Sequence, residues 1–160
     1  MFTSKDEQHM RLAIQKTREG IAAGQTPFGA CIVSLDGQVV ACDHNVVWRT
    51  TDITAHGEVN TIRAACRALG RVDLSGCTIY STTEPCPMCF SAIHWAKIGR
   101  IVFGASIADA QAAGFNELVI SNDVMKREGR SPVIVEGGCL RLECAALFQE
   151  WTKAGWAKTY

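Results

Sequence analysis

The sequence predicts an α/β fold in which helices cover a mixed, five-stranded sheet. Two β-prone segments near the start of the chain meet at Asp36-Gly37, which predicts an antiparallel hairpin. After this hairpin, β-prone and helical segments alternate, a pattern typical of helices packed against a sheet. We expect a single domain over residues 1–160, because a chain of this length can bury most of its apolar surface.

Local signals place the individual elements. Ser4 and Glu7 have the spacing of a capping box, and apolar residues then recur at helical spacing until Gly24. Gly70 is expected to end a later helix. In chain order, the predicted elements are a helix ending before Gly24, strands over 28–34 and 38–42 joined by a two-residue turn, a polar loop over 45–54, a helix over 56–69, a strand over 77–82, a helix reaching about 98, strands over 100–105 and 133–135, and a helix over 140–156.

Composition restricts the possible partners. Lys+Arg and Asp+Glu both total 16, so the chain lacks the broad basic surface expected of a nucleic-acid-binding protein. The sequence contains neither an apolar leader nor a membrane-spanning apolar run, so a cytoplasmic location without membrane attachment is expected. In that compartment the eight cysteines are not expected to form a disulfide framework, and Cys31 and Cys42 are predicted to be buried thiols.

Two short motifs predict a catalytic zinc site. His56 and Glu58 open one helix, and Cys86 and Cys89 open another. One imidazole and two thiolates suit Zn²⁺, and three protein ligands leave a fourth position for water. Residues three apart lie on one helix face, so both sulfurs can reach one metal ion. Glu58 is then free to carry protons to and from the water.

A closed structural zinc site is the alternative interpretation of the cysteine pair. Such sites have four protein ligands and often contain two C-x-x-C pairs. The chain contains no second pair, and no spacing favours a fourth ligand such as His44, His94 or Cys77.

Three further residues are candidates for substrate binding. A planar base requires apolar side chains on its two faces, and Phe28 and Trp95 suit either this role or ordinary core packing. The Asn45 carboxamide offers a donor and an acceptor that could bind the edge of a heterocycle, although asparagine is equally typical of turns.

With both motifs in place, the chain resembles the cytidine-deaminase-like superfamily, and most closely its bacterial guanine deaminase branch. The resemblance implies a three-layer α/β/α fold, one Zn²⁺ per subunit, a homodimer, and hydrolysis of guanine to xanthine and ammonia. It extends over nearly the whole chain. The segments that carry it are Pro27–Ala30, Asn45, Thr54–His56, Glu84–Cys89, Ala92–Ile93, Trp95–Ala96, Ala108–Ala110, Ala113–Phe115 and Lys158–Tyr160.

The same resemblance implies roles for two residues near the end of the chain. Glu117 would bind the donor edge of guanine, and Tyr160 would close the site, with the C-terminal segment exchanged between the two subunits. The chain departs from the branch at Ile53 and Gly57, and Glu117 stands where aspartate is common. Its longer side chain would suit a smaller ring, so cytosine deamination is an alternative. Editing of adenosine in tRNA is another, because those enzymes share the metal motifs.

Overall fold

A computed structural model describes all 160 residues and confirms the predicted α/β fold with a five-stranded mixed sheet. The helices are α1 (Ser4–Ala22), α2 (Val47–Thr50), α3 (Gly57–Leu69), α4 (Pro87–Trp95), α5 (Ile107–Ala112), α6 (Asn122–Gly129) and α7 (Arg141–Lys153). The strands are β1 (Gly29–Val33), β2 (Val39–His44), β3 (Thr78–Thr83), β4 (Arg100–Ala105) and β5 (Ile134–Gly137). None of the helices combines the length and the apolar character needed to cross a membrane.

The sheet combines an antiparallel half with a parallel half. Its strand order is β2-β1-β3-β4-β5, and β1 runs antiparallel to both β2 and β3. Strands β3, β4 and β5 are parallel to one another. The carboxyl ends of these three strands therefore lie at one edge of the sheet, where ligands bind in open α/β folds.

Helices cover both faces of the sheet, which gives the three-layer arrangement. On one face, α1 and α7 contribute Met10, Ile14 and Leu147 to a core that includes Tyr80 and Val102 from the strands. On the other face, α3 and α4 pack over a second core. Its buried members include Ile32, Ala65, Ile79, Phe90, Ile93 and Ile101.

Two local predictions were wrong by small amounts. The capping box of α1 is formed by Thr3 and Asp6, because Thr3 is the residue with extended backbone before the first helical turn. The β1–β2 connection spans residues 34–38 rather than two residues, since a bulge after Ile32 shifts the register and Gly37 takes a positive φ of 85°.

Three helices were not predicted. Helix α2 has 4 residues, α5 has 6 and α6 has 8. Segments this short give too few turns for an apolar period to stand out. The N-termini of α5 and α6 nevertheless have a sequence signal. Ser106 and Ser121 are their N-cap residues, and each accepts a hydrogen bond from a backbone N–H in the first turn.

The two cysteines predicted to be thiols in the first hairpin, Cys31 and Cys42, lie opposite each other. They are direct partners in the β1–β2 ladder, with Cα atoms 4.1 Å apart, so their side chains are in contact. Spacing along the sequence gave no indication of this pairing, because strand register decides which residues lie opposite each other.

A buried ion pair ties α1 to the sheet. Asp6 is only 5% exposed and accepts hydrogen bonds from the Tyr80 hydroxyl (2.9 Å) and from Arg100 (2.6 Å). Although burial acts in the opposite direction, Arg100 and Thr3 hold the pKa of the Asp6 carboxyl well below its usual range. Arg100 also pairs with Glu136 in β5, so one guanidinium links α1, β4 and β5.

Replacing Asp6 with asparagine is expected to lower the free energy of unfolding at pH 7 by about 1.5–3 kcal/mol, the usual range for a hydrogen bond to a charged group. Because folding depresses the Asp6 pKa, this contribution is present above the unfolded-state pKa near 4 and is lost as pH falls below it. Urea denaturation of both proteins between pH 3 and pH 7 measures the difference.

Glu136→Gln is the matched control, because Glu136 is the second carboxylate that pairs with Arg100 and its side chain is half-exposed. It should lower stability less than Asp6→Asn does. A D6N effect that is equal to that of E136Q, or that does not change with pH, would contradict the assignment.

Candidate metal centre

The N-termini of two helices meet at one edge of the sheet and bring the predicted ligands together. His56 is the N-cap of α3, and Cys86 is the N-cap of α4, with Cys89 in its first turn. Glu84 fixes the segment before Cys86, because its carboxylate accepts hydrogen bonds from the backbone N–H groups of Asn122 (2.8 Å) and Ile107 (3.4 Å). Free N–H groups at the start of α4 also favour thiolates there.

The three side chains have the separations that a zinc ion requires. Nδ1 of His56 lies 3.7 Å from Sγ of Cys86 and 3.6 Å from Sγ of Cys89. Tetrahedral Zn²⁺ with typical Zn–N and Zn–S bonds would place such atoms about 3.6 Å apart. These three residues are the group that offers a clustered set of metal-binding atoms, all within 4.8 Å of one another. The donor set therefore fits zinc.

The electrostatics of the cysteine pair also favour a cation. A hydrogen bond from Cys89, together with the neighbouring His56, lowers the pKa of Cys86 to about 4, so this sulfur is a thiolate at neutral pH. The hydrogen bond to Cys86, followed by burial, raises the pKa of Cys89 well above its usual range, and repulsion by the charges of Glu58 and Cys86 adds to this effect. A divalent cation between the sulfurs would offset this repulsion and stabilise both thiolates.

Glu58 lies beside the cluster and is almost completely buried, with 6% of its surface exposed. Its Oε1 accepts a hydrogen bond from Ser81 (3.0 Å), and its Oε2 lies 3.4 Å from Sγ of Cys89. Burial, followed by the Cys86 charge, raises the pKa of the Glu58 carboxyl. A buried carboxyl group with a raised pKa is suited to accepting and returning a proton.

A small cavity of about 30 Å³ separates the cluster from the surrounding walls. This volume is enough for one water molecule. The residues that line it include His56, Glu58, Cys86, Phe28 and Glu117. Burial is the main cause that raises the pKa of Glu117 to about 7.

Tyr160 closes this part of the site from within the same chain. Its hydroxyl accepts a hydrogen bond from Nδ2 of Asn45 (2.7 Å) and lies 3.5 Å from Nε2 of His56. Trp48 holds the segment before it, because its indole N–H donates to the Lys158 carbonyl (3.1 Å). A wider cavity of about 290 Å³ is lined by Tyr160, Ile53 and Glu117 together with the ligands His56 and Cys86.

The structure brings together all but one of the residues proposed from the sequence. His56, Glu58, Cys86, Cys89 and the four residues Phe28, Asn45, Glu117 and Tyr160 surround or adjoin the two cavities. Trp95 does not belong to this group. It is the last residue of α4, at the opposite end of the helix from Cys86, and it is 82% exposed.

Sequence reasoning also missed two contributors. Ser81 contacts Glu58, and Trp48 anchors the Tyr160 segment. Neither belongs to a motif, and only the alternation of β3, which points Ser81 and Thr83 to the same face, hinted at Ser81.

Comparisons with known proteins agree with this geometry. A family model described as the cytidine and deoxycytidylate deaminase zinc-binding region matches residues 3–105, which include His56, Glu58, Cys86 and Cys89. A guanine deaminase of Bacillus subtilis (strain 168) is 41% identical over 121 residues, covering 75% of this chain and 77% of that protein. These matches confirm the predicted resemblance to the superfamily and to its guanine deaminase branch.

Other relatives extend the comparison beyond guanine. A tRNA-specific adenosine deaminase of the same Bacillus strain is 32% identical over 154 residues, covering 94% of this chain and 92% of that protein. The solved structure of a guanine deaminase from Nitrosomonas europaea superposes with a TM-score of 0.84 at 28% identity, covering 92% of this chain and 84% of that one. Similarity alone therefore leaves the substrate open.

The purified protein is expected to bind Zn²⁺ at about one ion per chain. Cys86→Ala removes one of three protein ligands and should lose most of the metal, as measured by inductively coupled plasma mass spectrometry after dialysis. Cys66→Ala is the matched control, because this cysteine in α3 is free and outside the ligand cluster. Wild-type zinc content in C86A would mean that other residues bind the ion.

Proposed function

We propose that this chain, which belongs to the cytidine and deoxycytidylate deaminase family of zinc-binding enzymes, hydrolyses the amino group of free guanine to give xanthine and ammonia. Membership of this family makes the chain a deaminase. The following observations support free guanine as its substrate.

The observation that carries the proposal is the closed site. Tyr160 packs over His56 with ring centroids 5.8 Å apart, and its hydroxyl reaches both Asn45 and the imidazole. The remaining cavity of about 290 Å³ lies at the lower limit of typical small-molecule sites. A free base fits such a space, whereas a base attached to a polynucleotide would require the Tyr160 segment to move.

Residues near the metal ligands offer groups that suit guanine. The Glu117 carboxylate can accept hydrogen bonds from the N–H and amino donors on one edge of this base. Phe28 packs edge-on against Phe115, with ring centroids 4.7 Å apart, and presents apolar surface to the small cavity. Asn45 bonds to Tyr160 and to the Val47 backbone N–H, so a base that bonds to Asn45 would replace the Tyr160 hydroxyl.

The chemistry follows from the arrangement of these side chains. Zn²⁺ held by His56, Cys86 and Cys89 would polarise a water molecule for attack on the amino-bearing carbon. Glu58 would accept one proton from the attacking water and give it to a ring nitrogen, and would then transfer the proton of the new hydroxyl group to the departing amine. The carbon exchanges its C–N bond for a C–O bond, and ammonia leaves. Tyr160 and the buried walls exclude bulk water from the reacting groups.

The assembly we propose is a homodimer with exchange of the C-terminal segment. Tyr160 contacts the site of its own chain in this structure. In an exchanged dimer the same contacts would be made by the partner, so the wall of the site would be unchanged.

Deamination of adenosine in tRNA is the second candidate, because a tRNA-specific relative matches nearly the full length of the chain. It requires a basic surface for the phosphate backbone, whereas the positive and negative side chains of this protein balance. Cytosine is the alternative among small bases, and Glu117 could bind its donors in the same way.

The substrate panel that tests this assignment measures ammonia release from guanine, cytosine, adenine and an in vitro tRNA transcript. Guanine is expected to give the highest kcat/KM, with little dependence on salt because no phosphate is bound. A higher kcat/KM with tRNA that falls as salt rises would favour the editing enzyme. A higher value with cytosine would overturn guanine while preserving deamination.

Glu58→Gln keeps the shape of the side chain but removes its ability to carry a proton. We expect zinc to be retained and kcat to fall by about 10²- to 10⁴-fold. Glu128→Gln, at an exposed glutamate of α6, is the control and should keep both. Turnover by E58Q near the wild-type rate would disprove the assigned role of Glu58.

A further inference from the structure

Ser81 carries a buried hydroxyl group next to Glu58, although the residue belongs to neither metal motif. It lies in β3 and is 2% exposed. Strand alternation points Ser81 toward Glu58, whereas the neighbouring Thr82 points to the other face and contacts the backbone N–H of Gly29 (3.2 Å). Of these two adjacent hydroxyl groups, Ser81 therefore contacts the site and Thr82 contacts the backbone of β1.

The Ser81 hydroxyl has two acceptors within reach but only one hydrogen. Its Oγ lies 3.0 Å from Oε1 of Glu58 and 2.7 Å from the Thr83 carbonyl oxygen. The Ser81 oxygen therefore lies between the Thr83 carbonyl and the Glu58 carboxyl group, and the hydroxyl can donate its hydrogen to Oε1 of Glu58.

We propose that Ser81 is a positioning residue that holds the Glu58 carboxyl group at the small cavity. This inference rests on the proposed deamination, in which Glu58 is the proton carrier. The buried Ser81 hydroxyl, 3.0 Å from Oε1 of Glu58, is the contact that fixes the orientation of the carboxyl group.

The surroundings of Glu58 explain why such a partner is needed. Ser81 is the side chain that bonds to Oε1, while Oε2 faces the sulfur of Cys89 at 3.4 Å. Without the Ser81 hydroxyl, no side-chain hydrogen bond would hold Oε1, and the carboxyl group would be free to rotate about its terminal bond.

The test compares Ser81→Ala with Ser81→Thr. S81A should retain zinc and a KM near that of the wild type, while kcat for ammonia release from guanine falls roughly 10- to 100-fold, as expected for one hydrogen bond to a charged group. S81T keeps a hydroxyl on a β-branched residue that suits a strand, and should restore most of kcat. A kcat for S81A equal to that of the wild type would overturn the proposal.

Thr82→Val is the matched control, because it removes the adjacent buried hydroxyl of β3 without touching Glu58. It should lower the Tm while leaving kcat near the wild-type value. Equal losses of kcat in T82V and S81A would mean that the Ser81 hydroxyl acts only through the stability of the strand.

Crystal structures of zinc-loaded wild type and S81A provide a readout independent of turnover. The Glu58 carboxyl group should point into the cavity in the wild type and turn away from it in S81A. An unchanged Glu58 in S81A would overturn the positioning role. If the wild type releases no ammonia from any base, the proposed function fails, and these structures still decide whether Ser81 positions Glu58.

Discussion

The meeting of the N-termini of α3 and α4 at the carboxyl edge of β3 is the constraint on which the site depends. His56 and Cys86 are N-cap residues, so their positions follow from where the two helices begin. Each helix packs on the sheet through the same apolar core, which fixes the distance between the two N-termini. The separation of about 3.6 Å that zinc requires is thus set by core packing rather than by flexible loops.

This arrangement gathers several negative groups in a buried space. Cys86, Cys89 and Glu58 lie within a few ångströms of one another, and burial penalises charge on each of them. Like charges at such distances repel strongly where water is excluded. A divalent cation would resolve the conflict for the sulfurs, while Ser81 donates to Oε1, the carboxyl oxygen of Glu58 that does not contact Cys89. The polar groups and the metal site are therefore interdependent.

An aromatic cluster connects the outer wall of the site to the core on the opposite face of the sheet. Phe115 packs against Phe28, Trp151 and Tyr160, with ring centroids 4.7, 5.2 and 6.2 Å apart. Trp151 belongs to α7, so the helix that covers the sheet also supports the wall that faces the metal ligands. The position of Tyr160 consequently depends on how Phe115 packs against Phe28, near the start of the chain, and against Trp151, near its end.

The local chemistry was predictable from the sequence because it depends on residue type and short spacing. A histidine and a glutamate two residues apart, and two cysteines three apart, predicted the ligand set, the proton carrier and the helix starts that present them. The alternation of segments also predicted the sheet. Contacts between residues distant in sequence were not predictable, since register and packing decide them. The contact between Cys31 and Cys42, the hydrogen bond from Ser81 to Glu58, the anchoring of Tyr160 and the position of Trp95 away from the site are all of this kind. Sequence alone therefore determined which metal ligands and which proton carrier the protein has. Only the tertiary structure decided which side chains face one another, because the neighbours of a side chain are set by how distant segments pack.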